Sequence, residues 1–367
     1  MHRINKTILT QVRLSLAAII LFCVSLNFFS CNSSSSATTN ILGAWTQESS
    51  FDGGQRSGSV LFVIGDKIYI CTGYNGNNNT RVFKRDLWEY NSNVDTWVKK
   101  KSFPGVGRSG AVGFSANGKG YVGLGYDGLN YLNDFWAFEP TVGDSGTWTQ
   151  IKNFAGPARR GAFAFTINDV GYVGTGSDDN LTYKDFYQYD ALNNAWIQKP
   201  AVPKIERTNA FSFVINNIGY VGGGSNNGSP VQDLYAYDAQ GGDGTGNWIQ
   251  KNDLKDDPYD TDVNDKGYNT IGRELAVAFV INGKGYVVDG KIGSSSSLEN
   301  WEYTPETDTW LKKQSFGFNV QGKSQSALPR IAGVGFSLGG YGYVCCGVNG
   351  SLYLNDKWMY DPTAINN

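Results

Sequence analysis

The chain has 367 residues, and its 31 Lys and Arg nearly balance 33 Asp and Glu, for a formal net charge of −2. With no basic excess there is no electrostatic footprint for nucleic acid. Charged residues are only 17% while aromatics reach 14% and glycines number 47, a balance that points to an all-β chain of short strands and tight turns.

The amino terminus reads as a targeting segment. Arg3, Lys6 and Arg13 form a positive start, an apolar stretch runs from Leu14 to Phe29, and a small residue, Ser30, precedes Cys31. This is the shape of a signal peptide over residues 1–30. The Ser30-Cys31 pair resembles a lipobox, which implies lipidation at Cys31; ordinary signal-peptidase cleavage and an uncleaved anchor are the alternatives. Residues 31–42, rich in Ser, Thr and Asn, read as a flexible tether. Asn32 after the cysteine resembles lipoproteins of the outer membrane, with the periplasmic or surface face left open. The lipid would be the only membrane contact. The single histidine, His2, falls in the leader, so the mature chain would carry no imidazole.

Residues 43–367 hold one pattern six times. Taking Tyr69, Tyr121, Tyr172, Tyr220, Tyr286 and Tyr343 as anchors, an arginine stands thirteen residues earlier in every copy: Arg56, Arg108, Arg159, Arg207, Arg273 and Arg330. A phenylalanine stands seven before (Phe62 to Phe336) and a glycine four after (Gly73 to Gly347). Turn pairs such as Asn117-Gly118 and Asn282-Gly283 lie between Phe and Tyr and predict a hairpin of two strands. Each copy continues with an acidic residue and alternating aromatics, as in Asp86-Leu-Trp-Glu-Tyr90, which predicts a third strand with one buried face. A lone tryptophan (Trp97, Trp148, Trp196, Trp248, Trp310) marks a fourth.

Four strands per unit of about fifty residues predict a propeller blade. The run of Arg, Gly, acid with aromatics and late Trp resembles the kelch repeat over the whole mature chain. The sixth copy lacks its Trp strand, whereas Trp45 precedes Trp97 by one repeat. The N-terminal strand around Trp45 is therefore expected to complete the last blade, closing a six-bladed β-propeller of four-stranded blades.

The kelch resemblance implies that loops between blades and between second and third strands share one face. Two inter-blade spacings are long there, 25 residues from Trp248 to Arg273 and 20 from Trp310 to Arg330, and long loops on a rigid scaffold are a usual place for binding. Tyr74, Tyr126, Asp127, Asp178 and Asn226 suit a hydroxylated ligand, though Asp and Asn are also turn formers. The six arginines are expected at the channel mouth, as a ligand-binding ring or as partners of the third-strand acids. The acidic stretch from Asp253 to Asp265 departs from a calcium loop, since Gly267 falls two places late and Ile271 stands where Glu is needed. Cys71 is placed to face Cys345 or Cys346 across the ring closure, as buried thiols or as a disulfide.

The reading drawn from these residues is a binding or scaffold module of the cell envelope, more a non-enzyme than an enzyme. It would recognise a glycan or an envelope protein through the inter-blade loop face, without catalytic residues, metal or other cofactor. Some kelch proteins resemble galactose oxidase, whose copper site needs histidines that the mature chain lacks. Six-bladed kelch proteins also include a periplasmic sialic-acid mutarotase. That resemblance implies the alternative, a sugar-acting epimerase working with arginine and carboxylate groups.

Overall fold

A computed structural model describes residues 43–76, 82–254, 271–319 and 321–365. The leader, Cys31, the tether and most of the acidic stretch (255–270) lie outside the described residues. The chain divides into Met1–Thr39 and Asn40–Asn367, and all described residues belong to the second unit.

Every regular element among the described residues is a strand, and six antiparallel four-stranded sheets form a six-bladed propeller. Blade 1 consists of Val60–Ile64, Lys67–Cys71, Leu87–Asn91 and Thr96–Lys100. Blades 2 to 5 repeat this plan, with inner strands Val112–Ala116, Phe163–Ile167, Phe211–Ile215 and Val277–Ile281. Blade 6 takes Val334–Leu338, Tyr341–Cys345 and Lys357–Asp361 from the carboxyl end and Ala44–Gln47 from the amino end. Trp45 sits opposite Tyr360 there, as Trp97 sits opposite Tyr90 in blade 1.

The repeat residues explain the packing. Each Phe pairs across the hairpin with its Tyr, and in five blades the rings stack, as for Phe114 on Tyr121 with centroids 4.8 Å apart, while Phe165 and Tyr172 are tilted by 40°. In five of the six interfaces the next blade's second strand then presses a glycine on the Phe. A Cβ on Gly171 would stand 2.0 Å from Phe114, so glycine permits that close approach. At the ring closure Ile68 packs with Phe336 instead.

The blades are tied by two rings of backbone hydrogen bonds. In the first, Gly58 N donates to Ala332 O, Gly110 to Gly58, Gly161 to Gly110, Asn209 to Gly161, Leu275 to Asn209 and Ala332 to Leu275, at 2.7–3.0 Å. All six residues are left-handed, with φ between +53° and +65°, and they line the axial opening, a cavity of about 140 Å³. In the second ring, the repeat glycine of each blade donates to the next blade's arginine carbonyl, from Gly73 on Arg108 to Gly347 on Arg56, at 2.8–3.0 Å.

Among the described residues three thiols are free and buried. Cys71 packs with Val60, Phe62 and Leu87, while Cys345 and Cys346 belong to the neighbouring cluster and touch each other, with sulfurs 3.5 Å apart. Of the two readings weighed from the sequence, the structure has the buried free thiols and not the cross-closure disulfide.

Candidate active site

The six repeat arginines are fully buried, so they do not present a ring of guanidiniums to the mouth. Each lies flat within its own blade. Arg108 donates Nη1 to Leu124 O at 3.0 Å and grips Asp134 with two bonds of 2.6 and 2.9 Å. Arg56 with Asp86, Arg159 with Asp185, Arg207 with Asp233, Arg273 with Glu299 and Arg330 with Asp356 repeat the pairing. In blades 1, 2, 5 and 6 a tryptophan also donates its indole N–H to that carboxylate, as Trp136 does to Asp134 at 2.8 Å. Burial opposes ionisation of Asp86, Asp134, Glu299 and Asp356, but the arginine bonds and charge outweigh it and hold the four below the usual carboxylate range. A ligand reaching these arginines would have to open a blade and leave an acid unpaired.

The residue after each arginine instead reaches the mouth. Ser57, Ser109, Arg160, Thr208, Glu274 and Ile331 each form a bridge to a residue just past the repeat glycine: Tyr74, Tyr126, Ser177, Ser225, Lys291 and Val348. These twelve residues stand directly beside the left-handed ring that lines the opening, and they are where the six copies differ.

Blades 3 to 5 supply a polar, charged half. Arg160 is exposed, and no carboxylate lies within ion-pair distance of it among the described residues. Ser177 and Thr208 meet through their hydroxyls at 3.2 Å. Asn209 donates Nδ2 to Glu274 at 3.3 Å, and Lys291 Nζ pairs with the same carboxylate at 3.3 Å. The Glu274 side chain is 14% exposed and that of Lys291 37%, so the pair is sheltered yet open to a ligand.

Blades 6, 1 and 2 supply an aromatic half. Tyr74 and Tyr126, both expected from the sequence, lie there. Tyr74 packs on Phe83 at 4.7 Å and Tyr126 on Tyr131 at 5.0 Å. The Tyr131 hydroxyl donates to Asp179 at 2.6 Å, and burial together with that bond pushes it up to about 12.

The other expected residues are turn formers. Asp127 accepts the backbone N–H of Leu129 and Asn130 at 2.8 and 2.7 Å, and Asp178 accepts those of Asn180 and Leu181. Asn226 lies in a two-residue hairpin strand opposite Ser229. The insert after Trp310 has a structural task as well. Phe318 O accepts Trp45 N–H at 2.9 Å and Gln314 O accepts the Trp45 indole at 3.1 Å, so this segment pins the closing strand.

No family model matches the chain. The chain is 36% identical over 111 residues to the N-acetylneuraminate epimerase of Escherichia coli O9:H4 (strain HS), which is 29% of this chain and 30% of that protein. It is 36% identical over 94 residues to the enzyme of the same name from Shigella sonnei (strain Ss046), 25% of each. The match thus spans less than a third of the length of these curated relatives. The solved structure of YjhT superposes with a TM-score of 0.65 over 84% of this chain and 95% of that one, at 14% identity, which shows the shared fold. These relatives overturn the expectation of a non-catalytic binding module, since the proteins this chain resembles are named as enzymes.

Proposed function

We propose that the protein is a sugar-acting epimerase that interconverts the anomers of a carboxylated sugar of the N-acetylneuraminate type. The observation that carries this reading is the charged half of the mouth. There a guanidinium with no acid partner among the described residues and a Glu–Lys pair share one rim, on a fold whose relatives bear that name.

Anomer exchange at a hemiketal needs little machinery. A base takes the proton of the anomeric hydroxyl, the freed electron pair forms C=O, the ring C–O bond breaks, and an acid protonates the ring oxygen. The carbonyl then rotates and the ring closes on its other face by the reverse transfers. Glu274 is the base in this scheme and the Lys291 ammonium the acid, so the proton balance closes within one residue pair. Arg160 supplies the planar two-bond grip that suits a carboxylate. Asn209, held by its backbone in the left-handed ring, fixes the Glu274 carboxylate.

The test is equilibration of freshly dissolved α- and β-N-acetylneuraminate followed by NMR at low temperature. Acceleration by the protein that Glu274→Gln abolishes supports the proposal. An unchanged equilibration rate would overturn it. The leader supports placing the activity in the cell envelope, tethered at Cys31, which labelling with a radioactive fatty acid checks.

A further inference from the structure

The aromatic half of the mouth is longer than the proposed reaction needs. From blade 6 the rings run Tyr353, Tyr74, Phe83, Tyr126 and Tyr131, with successive centroids 5.5, 4.7, 6.4 and 5.0 Å apart. All five are partly exposed. The arc ends beneath Arg160, whose guanidinium lies over Tyr126 and Tyr131. Blades 3 to 5 have no aromatic at the matching positions: Ser177, Ser225 and Lys291 stand where Tyr74 and Tyr126 do.

Gly128 of blade 2, at a φ of +103° that already favours glycine, packs against Phe83, where a Cβ would stand 2.7 Å away. The hairpin tips beside the arc also expose Leu129 at 88% and Leu352 at 46%. Rings held at fixed orientation, apolar on the face and polar at the hydroxyl, suit the apolar face and hydroxyl rim of a pyranose at little cost in conformational entropy.

We infer that the substrate is an oligosaccharide held by its reducing end. The terminal sugar acid lies on the charged half, at Arg160 and Glu274, and the residues attached to it lie along the arc towards Tyr353. A single sugar covers about one ring, whereas the arc offers five in a row that continues the charged half without a break. The inference rests on the epimerase reading for the direction in which the glycan lies.

Isothermal titration of the whole protein with N-acetylneuraminate and with its α2,8-linked trimer tests it. The trimer is expected to bind about tenfold tighter or better, since each added aromatic contact is worth about two- to tenfold. Tyr353→Ala, at the end far from Arg160, is expected to cut that advantage by about two- to tenfold while the monosaccharide anomerises at the unchanged rate. Saturation-transfer NMR on the unaltered protein gives the same answer without a variant, with signal expected on all three sugar residues. Equal affinity for monosaccharide and trimer, or saturation confined to the reducing residue, overturns the inference while monosaccharide turnover keeps the epimerase reading. Trimer binding sensitive to Tyr353→Ala without turnover of either sugar would overturn the epimerase reading instead and leave the arc as a glycan surface.

Discussion

The guanidinium of Arg160 in blade 3 lies 5.3 Å from the ring centre of Tyr126 and 5.8 Å from that of Tyr131, both in blade 2. Its chain neighbour Arg159 has the opposite surroundings, fully buried and bonded to Asp185. Two adjacent arginines thus separate architecture from ligand contact. Arg160→Ala is expected to raise KM for the sugar acid by about ten- to a hundredfold, the worth of one charge-assisted contact, with an unchanged melting temperature. Arg159→Ala is expected to lower the melting temperature. Saturation kinetics with thermal melting on both variants checks the pair. An Arg160→Ala enzyme with wild-type KM would remove this residue from the site.

Glu274 carries the proton transfer in the proposed reaction. Glu274→Gln keeps the side chain's shape and is expected to lower kcat by about 10²- to 10⁴-fold, the usual contribution of a positioned acid or base, with KM changed less than threefold. Asn209→Ala is expected to give an intermediate loss, because it removes the donor that orients the carboxylate without removing the base. The two variants measured side by side separate chemistry from positioning.

The blade count, the closing strand and the Phe–Tyr hairpins were legible in the sequence because they repeat. Identical residues at fixed spacing report identical backbone environments, and six copies remove chance. The arginines were legible as positions, but their side chains fold back within the blade to the third-strand acid, a contact that spans 26 to 30 residues of chain. The ligand residues were illegible for the complementary reason. Arg160, Glu274 and Lys291 sit where the copies disagree, one residue past the arginine or one past the glycine, and a search for agreement passes over them. Reading the repeat for its least regular column next to its most regular one would have found them. The half-buried Asp127 and Asp178 were read as ligand residues because a carboxylate that closes a turn has the same composition as one that meets a ligand.

The buried ion pairs should behave as architecture. Arg108→Leu is expected to cost about 3 kcal/mol, the low end for an uncompensated partner of a buried pair, because the Asp134 side chain keeps 22% exposure and part of its hydration. The double change Arg108→Leu with Asp134→Leu should recover part of that loss, since no charge is then stranded. Urea unfolding of the two variants checks the sign of the recovery. A double variant less stable than the single would show that the pair adds more than its mutual compensation.

Stability should depend on pH in two directions. Asp86, Asp134, Glu299 and Asp356 are held below their ordinary values despite burial. Their contribution is therefore present above about pH 4 and is lost as pH falls through the depressed folded values. Asp289 has the opposite sign. It replaces the Thr, Leu, Gly or Cys of the other blades, is fully buried, and lies 3.9 Å from Arg330 Nε with neither oxygen hydrogen-bonded. Desolvation raises it well above the usual range, and Arg330 and Arg273 offset that only in part. Its contribution is fully present below its ordinary value and lost as pH rises through the folded one. Asp289→Asn is thus expected to melt higher than the wild type at pH 8 and to converge with it near pH 4. Melting curves across that range test the sign, and a variant that melts lower at pH 8 would mean the carboxylate is ionised and useful.

Ring closure rests on Trp45. Its side chain is fully buried, packs on Phe316 at 4.8 Å and Tyr360 at 4.9 Å, and donates its indole N–H to Gln314 O. Trp45→Ala is expected to cost about 3–5 kcal/mol, as for other buried tryptophans cut to alanine. Trp97, the matching residue of blade 1, is buried as well, so Trp97→Ala should cost a similar amount. The consequences for the sheet edge differ. Losing Trp97 leaves a cavity inside a blade whose four strands are continuous in sequence. Losing Trp45 frees a four-residue outer strand that pairs with Lys357–Asp361 and bonds to the segment after Trp310, and its departure moves the open edge of blade 6 inward to Lys357–Asp361. At equal loss of stability, Trp45→Ala is therefore expected to form dimers or larger species in light scattering while Trp97→Ala stays monomeric. Identical behaviour of the two would mean that the closing strand adds buried area but does not guard the edge.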